Sequence, residues 1–431
     1  MKPTVKFIHT ADLHLGSRIM INLNNSDIDE NIYNAVYNSF KKIIDTAIDY
    51  SVDFVIISGD IFDNESRSVK ATRFFINQCN RLEKENIDVY LINGNHDPYK
   101  NNGELFELPT NVYICDTEGV STFNVYKNEK LIARVLGQSY RSSSENRKMY
   151  KYYTTNDQSV YNIGILHTQL DPQNDNYVPI SKNELLSNDN IDYWALGHIH
   201  DNKIINDKEP FIVYPGNPQG RDIGETGKKG FYLIHLDSTE TKLQFIETSD
   251  YEYKRIKIDL SGIKESNLTE FNNYIADELE SFYKKASKNI KGYILRVILV
   301  GRTKVYELLQ EQENDILEDA LENLRTKFSK KTPLLWINEI ENRTNKAVEN
   351  IEQLIKEDPF INDFIDFLNK FKTDQKKKNK LKNNMGNIWN SEVDNENIDS
   401  KEFQIDEQTF QELLLQVKKD IINEFIERRE I

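Results

Sequence analysis

Short apolar runs alternate with stretches of helical periodicity over the first hundred residues. Runs rich in β-branched residues predict buried strands at 5–9, 53–58 and 87–92. Between them, apolar residues recur at helical spacing over 32–48 and 71–82, which predicts two helices. Because strand, helix and strand in succession imply right-handed crossovers, we expect this part of the chain to form a parallel or mixed sheet.

Strand-like patterns dominate between residues 111 and 250. Further strands are predicted at 111–115, 131–136, 161–166, 193–196, 211–214, 230–236 and 243–246. Together with the helices before them, these strands predict an α/β sandwich in which two sheets stack face to face between outer helices. We assign residues 1–250 to this first domain.

The pattern after residue 250 predicts a second, smaller α+β domain that caps the first and spans 251–342. Its three predicted strands cover 253–260, 293–300 and 334–340. Its two predicted helices cover 268–286 and 305–328. The two domains agree with the length of the chain, because 431 residues at about 150 per domain give two or three domains.

The C-terminal segments are predicted to be helical at both ends and irregular between. A helical extension is expected over 343–372, with Pro359 at a helix start. Residues 373–402 are rich in Lys and Asn and predict a flexible linker. An apolar stripe with helical spacing predicts a C-terminal amphipathic helix over 403–431.

Composition narrows the class of protein. A hydrophobic content of 38% and a charged content of 29% fit a soluble globular protein, and the net charge of −15 argues against a protein that simply coats DNA. Cys79 and Cys115 are the two cysteines, which indicates a reducing compartment without a disulfide framework. No signal peptide and no apolar run of membrane-spanning length is apparent, so we expect a cytoplasmic protein.

Chemistry-bearing residues concentrate in the first domain, since all seven histidines lie within residues 1–250. Five short polar patterns each follow or close a predicted strand: Asp12-Leu13-His14, Gly59-Asp60 with Asp63, Gly94-Asn95-His96-Asp97, His167, and Gly197-His198-Ile199-His200. Because strand carboxyl ends share one edge of an open α/β sheet, we expect these side chains to converge there.

The residue types in this set suit two divalent cations. Asp60 could bridge two ions about 3.5–4 Å apart. Ligation by Asp, Asn and His without thiolate favours manganese, iron or zinc over a structural zinc cage. Two such ions held by Asp12 and Asp60 would leave a positive centre that attracts a phosphodiester, because salt screens the distant surface charge over about 8–10 Å.

The motifs DLHLG, GDIFD, GNHD, ILHTQ and GHIH resemble those of the calcineurin-like metallophosphoesterase superfamily. The flanking sequences FIHTADLHLG, FVIISGDIFD and LINGNHD are similar to its SbcD-type branch, the nuclease subunit of bacterial DNA-repair exonuclease complexes, and especially to the YhaO-like group. The resemblance covers residues 5–236, is weaker over the second domain and does not extend through 373–431. It implies a two-sheet αββα sandwich and two-metal-dependent hydrolysis of DNA, with Mn²⁺ expected first and Mg²⁺ or Fe²⁺ as alternatives.

The resemblance also implies a role for each motif residue. One metal would be held by Asp12, His14, Asp60 and His200, and the other by Asp60, Asn95, His167 and His198. His96 would protonate the leaving oxygen or stabilise the transition state without binding metal. Asp63 would hydrogen-bond His96 and raise its basicity, at a position where archaeal and eukaryotic relatives often carry His.

Some residues have two interpretations that the sequence leaves open. Arg221, at the end of the Gly- and Pro-rich segment 214–221, either contacts a substrate phosphate or belongs to an ordinary tight loop. Asp97 either orients its loop or caps a turn before Pro98. His9 is expected to be a packed core histidine or to support the ligands, and His235 is expected to be structural.

Partners follow from the resemblance. Helices 32–48 and 71–82 lie where relatives form homodimers, and the apolar stripes at 360–371 and 410–425 would dock on the coiled-coil base of an SMC-like ATPase or pack on the second domain of this chain. DNA is the expected substrate. The alternatives are a metallophosphoesterase acting on a nucleotide or a phosphoprotein, which would not need the long C-terminal extension, and a non-catalytic scaffold, which would not need the full ligand set.

Overall fold

The computed structural model describes residues 2–22, 32–63, 67–98, 106–171, 176–347 and 359–374, together with residues 376, 414, 417, 418 and 421. Two compact units divide the chain. The first comprises Met1–Ile258, Ile275–Ile298 and Asn314–Asn342, and the second comprises Asp259–Tyr274, Leu299–Glu313 and Arg343–Ile431. The domain limits 1–250 and 251–342 rest on the sequence pattern alone and stay predictions.

Strands and helices follow one another as the alternating pattern predicts. The strands are β1 (Val5–Thr10), β2 (Phe54–Ser58), β3 (Asp88–Ile92), β4 (Val112–Ile114), β5 (Ser121–Lys127), β6 (Lys130–Gly137), β7 (Tyr161–His167), β8 (Tyr193–Gly197), β9 (Lys203–Asn206), β10 (Phe211–Tyr214), β11 (Gly230–Leu236), β12 (Lys242–Glu247), β13 (Tyr251–Asp259), β14 (Gly292–Thr303) and β15 (Leu334–Lys346). The helices are α1 (Ala35–Asp49), α2 (Val69–Lys84), α3 (Lys182–Leu186), α4 (Leu268–Lys285), α5 (Tyr306–Glu311), α6 (Glu313–Phe328) and α7 (Pro359–Thr373).

Two six-stranded mixed sheets form the core of the first unit. The first sheet has the order β12-β11-β1-β2-β3-β4, in which β1 to β4 run parallel and β11 and β12 are antiparallel additions. The second has the order β5-β6-β7-β8-β10-β9, with a parallel centre and antiparallel edges at β5 and β9. A third sheet has three strands in the order β13-β14-β15.

Apolar residues between the two large sheets hold them face to face. Phe7 and Phe54 stack with ring centroids 5.0 Å apart within the first sheet. Across the gap, Phe7 meets the edge of Tyr193 at 5.3 Å. On the outer face of the first sheet, α1 and α2 contribute Phe40 and Phe75 to a second core cluster. The αββα sandwich predicted from the sequence is therefore confirmed.

The structure corrects two helix predictions. The helix expected over 305–328 is interrupted at Gln312, which leaves the helical conformation (φ −141°, ψ 42°) and separates α5 from α6. Residues 343–346 continue β15 rather than starting a helix. The apolar residues of this strand lie in its first half and predicted only 334–340, so its polar second half was not recognised as strand.

The helical prediction for 343–372 is confirmed from residue 359 onward. Pro359 is the first residue of α7, as expected. Of the predicted linker 373–402, only residues 373, 374 and 376 are described, and Thr373 still belongs to α7. Of the predicted helix 403–431, only residues 414, 417, 418 and 421 are described, and these are helical. Within the described part of the chain, every helix is too short or too polar to cross a lipid bilayer.

The packing of the second sheet makes a stability prediction. A Cβ placed on Gly164 would lie 2.7 Å from the ring of the buried Trp194 and 3.3 Å from Ile191. Because a close-packed core resists added atoms, Gly164→Ala should lower the free energy of unfolding by about 1–3 kcal/mol. Denaturant unfolding followed by tryptophan fluorescence measures this change.

The matched control is Gly119→Ala, because a Cβ at Gly119 has no atom within 4 Å. It should alter the free energy of unfolding by no more than about 0.5 kcal/mol. Equal stability of the two variants would contradict the packing argument.

Candidate metal centre

Four loops and the end of one strand meet at one edge of the sandwich, as the strand-end argument predicts. Those after β1, β2 and β3 come from the first sheet, and the end of β7 and the loop after β8 come from the second. They bring together the predicted site residues Asp12, His14, Asp60, Asp63, Asn95, His96, His167, His198 and His200. Residues almost two hundred positions apart in sequence thereby become neighbours.

The backbone at this edge adopts a conformation that side chains other than glycine rarely take. Asp12, His14 and Asp60 have φ angles of 53°, 46° and 53°, and His198 has a φ of 96°. The loops are tied together, because Asp12 N donates to Gly59 O and His14 N donates to Asp60 O, each at 3.0 Å. Such strain persists only where surrounding contacts enforce it, and it clusters at functional sites.

Glycine is required beside the site because the two sheets approach closely there. Gly59 has a φ of 95°, and a Cβ on it would lie 2.4 Å from Nδ1 of His167. A Cβ on Gly94 would lie 2.2 Å from Oδ1 of Asp60. Gly59 thereby lets the loop after β2 approach His167 of the second sheet, and Gly94 lets the loop after β3 approach Asp60.

One cluster of candidate ligands consists of Asp12, His14 and His200, whose ligand atoms lie within 4.8 Å of one another. Nε2 of His14 and Nε2 of His200 face each other at 3.2 Å. Each Nδ1 is bonded to a carboxylate, since His14 reaches Asp63 at 2.8 Å and His200 reaches Glu225 at 2.6 Å. With both Nδ1 atoms protonated, two lone pairs converge, which suits a cation between them.

A second cluster consists of Asp12, Asp60 and His167. Nε2 of His167 lies 3.3 Å from Oδ2 of Asp60 and 2.9 Å from Oδ1 of Asn95. Nδ1 of His198 lies 2.9 Å from the same Asn95 oxygen. Asp12 belongs to both clusters, and the donor chemistry of oxygen and imidazole nitrogen fits two adjoining divalent ions.

Burial and charge act in opposite directions on the central pair. Burial alone would raise the pKa of Asp60, but His167 outweighs it and holds that pKa well below the usual range. In return, Asp60 overcomes the burial of His167 and raises the pKa of its imidazole to about 9. The carboxylate of Asp60 is therefore charged and attracts positive charge, whereas burial raises the pKa of Asp12.

His96 lies at the accessible side of the centre, with 47% of its side chain exposed. Nδ1 of His96 is 2.9 Å from Oδ1 of Asp63, and this hydrogen bond raises the pKa of His96. Its backbone N–H donates to Oδ1 of Asp60 at 2.9 Å, which fixes the loop. The sequence indicated the contact between Asp63 and His96 but not that Asp63 also bonds His14.

Asp97 connects the two loops that carry Asp60 and Asn95. Its buried carboxylate accepts backbone N–H groups from Ile61 at 2.8 Å, from Phe62 at 3.1 Å and from Gly94 at 2.9 Å. Burial raises the pKa of Asp97 to about 7. Of the two interpretations that the sequence left open, the structure favours orientation of the loop over a local turn cap.

His9 supports the centre from inside the core. Tyr193 donates its hydroxyl to Nδ1 of His9 at 2.9 Å, and Nε2 of His9 lies 3.1 Å from both Leu196 O and Ser58 Oγ. The carbonyl of Ser58 in turn accepts a hydrogen bond from Nδ1 of His167 at 2.8 Å. His9 is thus a buried core histidine, as expected, that lies between the sheets behind the candidate ligands.

Sequence reasoning missed two groups that hold His200. Glu225 bonds its Nδ1 as described, and Lys229 donates to its carbonyl oxygen at 2.8 Å although only 2% of the lysine side chain is exposed. The only sequence signal for Glu225 was its position four residues after Arg221. The guanidinium of Arg221 itself lies against Asp63 at 2.9 Å, and its predicted phosphate contact stays a prediction.

The chain matches one protein family and is similar to individual known proteins. The family described as calcineurin-like phosphoesterase matches residues 5–202. The protein named "Uncharacterized metallophosphoesterase YhaO" of Bacillus subtilis is 31% identical over 363 residues, which cover 84% of this chain and 86% of that protein. The "DNA double-strand break repair protein Mre11" of Methanocaldococcus jannaschii is 28% identical over 274 residues, which cover 61% of this chain and 71% of the relative.

Among solved structures, a dimetal phosphatase from Danio rerio aligns with a TM-score of 0.34 and 14% identity, covering 55% of this chain and 94% of that one.

The burial of His9 predicts a pH dependence of stability. Burial lowers the pKa of His9 from 6.5 to about 3, so the unfolded chain binds a proton that the folded chain does not in this interval. The stability from this group is complete above pH 6.5 and is lost as the pH falls towards 3. Lowering the pH from 7 to 5 should therefore reduce the free energy of unfolding by about 2 kcal/mol.

Urea unfolding of the wild type and of His9→Asn at pH 7 and pH 5 measures this difference. The variant should be less stable at pH 7 but should lose about 2 kcal/mol less on acidification. An identical loss in both proteins would show that His9 does not titrate on unfolding.

Proposed function

The chain belongs to the calcineurin-like metallophosphoesterase family, and on that premise we propose that it hydrolyses phosphodiester bonds in DNA with two divalent metal ions. The observation that carries the proposal is the pair of adjoining ligand clusters that share Asp12, beside the half-exposed imidazole of His96. Hydrolysis of phosphoester bonds is the chemistry of the family. The DNA substrate is the further step that we propose.

The ligand sets that we propose are those implied by the sequence motifs, and the two clusters support them in part, because they contain Asp12, His14 and His200, and Asp12, Asp60 and His167. We assign Asp12, His14, Asp60 and His200 to one ion and Asp60, Asn95, His167 and His198 to the other. When bound, the ions would polarise the phosphoryl oxygens and neutralise the charge that develops during hydrolysis. Mn²⁺ is our first choice because the donors mix oxygen and imidazole, and Mg²⁺ and Fe²⁺ are the alternatives.

His96 would act on the leaving group. The hydrogen bond from Nδ1 of His96 to Asp63 directs the other ring nitrogen away from the carboxylate. It also raises the pKa of His96, which enlarges the protonated fraction near neutral pH and suits an acid that donates to the leaving oxygen. The exposed position of the ring leaves access for a bulky substrate.

Similarity to Mre11 supports DNA as the substrate, because that relative is named for repair of DNA double-strand breaks. The net charge of −15 means that attraction for phosphate must come from the metal centre or from a partner. We propose an SMC-like ATPase as that partner, docking in part on α7, where Phe360 and Phe367 are 60% and 52% exposed. A homodimer through α1 and α2 and a cytoplasmic location complete the proposal.

Hydrolysis of end-labelled single- and double-stranded DNA in the presence of Mn²⁺ tests the function. The wild type should degrade DNA, and a chelator should abolish the activity. His96→Ala should lower the rate about 10²–10⁴-fold, the usual loss when a positioned proton donor is removed. His235→Ala is the matched control, because His235 lies on β11 away from the candidate ligands, and it should retain activity.

A generic phosphodiester, bis-p-nitrophenyl phosphate, separates the metal chemistry from the choice of substrate. Hydrolysis of this ester without cleavage of DNA would leave the metal centre intact and favour a nucleotide, a phosphoprotein or a reaction that needs the ATPase. Equal DNA cleavage by wild type and His96→Ala would contradict the role of His96.

A further inference from the structure

Two carboxylates orient three histidines at the centre. Asp63 bonds Nδ1 of His14 at 2.8 Å and Nδ1 of His96 at 2.9 Å through the same oxygen, Oδ1. Glu225 bonds Nδ1 of His200 at 2.6 Å. Because each imidazole uses Nδ1 for its carboxylate, the protonation form and the direction of each ring are set from behind the site.

Arg221 lies between these two carboxylates. Its Nη1 donates to Oδ2 of Asp63 at 2.9 Å, and its Nη2 lies 3.5 Å from Oε1 of Glu225. The side chains of Arg221, Asp63 and Glu225 are only 17%, 15% and 12% exposed. Nε of Arg221 is also buried and has no hydrogen-bond partner among the described residues. Little of the guanidinium is therefore accessible to a substrate.

Further hydrogen bonds hold the backbone at Arg221. Its carbonyl oxygen accepts from the backbone N–H of Met20 at 2.6 Å and from the hydroxyl of Tyr253 at 2.9 Å. Its N–H donates to Oε2 of Glu225 at 2.7 Å, and Asn217 donates to the same oxygen at 2.7 Å. These bonds fix where the arginine side chain starts and where Glu225 is placed.

The charges explain why an arginine is suited to this place. Two mostly buried carboxylates repel each other and need a counter-charge in the low-dielectric interior. The planar fork of a guanidinium spreads its N–H groups over three nitrogens and can reach two separate acceptors, whereas lysine concentrates its three N–H groups on one nitrogen. Loss of Arg221 would let Asp63 and Glu225 move apart, and the histidines would follow them.

We propose that Arg221 and Glu225 form a positioning pair, in which Glu225 holds His200 directly and Arg221 acts through Asp63 on His14 and His96, and that Arg221 does not contact the substrate phosphate. The inference rests on the metal-binding part of the proposed function and is independent of DNA as the substrate.

Calorimetric titration of the full-length protein with Mn²⁺ tests the pair without any substrate. Arg221→Gln and Glu225→Ala should each raise the dissociation constant of Mn²⁺ about 10–100-fold, the usual effect of losing a group that orients a ligand. The double variant should lose less than the product of the two single effects, because both act through one network. Arg221→Lys should restore only part of the affinity.

Arg147→Gln is the matched control. Arg147 also pairs with a buried carboxylate, Glu145, at 2.7 Å, but it belongs to neither metal cluster. The Arg147→Gln variant should bind Mn²⁺ with the same dissociation constant as the wild type. Circular dichroism checks that each variant is folded, and Arg221→Lys and Glu225→Ala keep the test decisive if Arg221→Gln does not fold.

Steady-state hydrolysis separates positioning from substrate contact. A positioning role predicts that Arg221→Gln lowers kcat and leaves KM for the phosphodiester nearly unchanged at saturating Mn²⁺. Unchanged Mn²⁺ affinity with a raised KM that Arg221→Lys restores would overturn the inference and assign Arg221 to the substrate. A wild type that binds Mn²⁺ without cleaving DNA would overturn only the DNA proposal, whereas no Mn²⁺ binding by the wild type would overturn both.

Discussion

The burial of two carboxylates, Asp12 and Asp60, where four loops and the end of β7 converge is the constraint on which the rest of the site depends. Each is only 1% exposed, so its charge must be compensated within the protein or by bound cations. Backbone N–H groups donate to both carboxylates, and imidazoles lie beside them. The backbone at Asp12 and Asp60 itself is in the left-handed region. The large inter-sheet core supplies the stability that keeps such an arrangement closed.

The chain's polar patterns located most of the candidate site because of a simple geometric rule. Residues that follow parallel strands meet at one edge, so Asp12 after β1 and Asn95 after β3 could be placed together without knowledge of any distance. Central strands such as β2 were predictable since both faces are buried and every residue is apolar or small. Residue types suited to metal binding therefore stand in the sequence directly after the strands whose ends meet in the fold.

Other features depend on contacts that the sequence pattern does not encode. The edge strands β5 and β9 are half exposed and mostly polar, so neither shows the apolar run of a buried strand. Glu225 acquires its role only when a loop from β10 to β11 folds over His200, and no motif marks it. Asp97 was correctly singled out, but only the folded loops reveal that it accepts three backbone N–H groups.

A single oxygen of Asp63 serves both His14 and His96. Under the roles proposed for these two rings, the affinity for a metal and the acidity of the proton donor would therefore not be separate properties. Any substitution that retunes one ring also retunes the other, so gradual divergence towards a new reaction is obstructed at this point. A change of the shared carboxylate at position 63 would act on both rings at once.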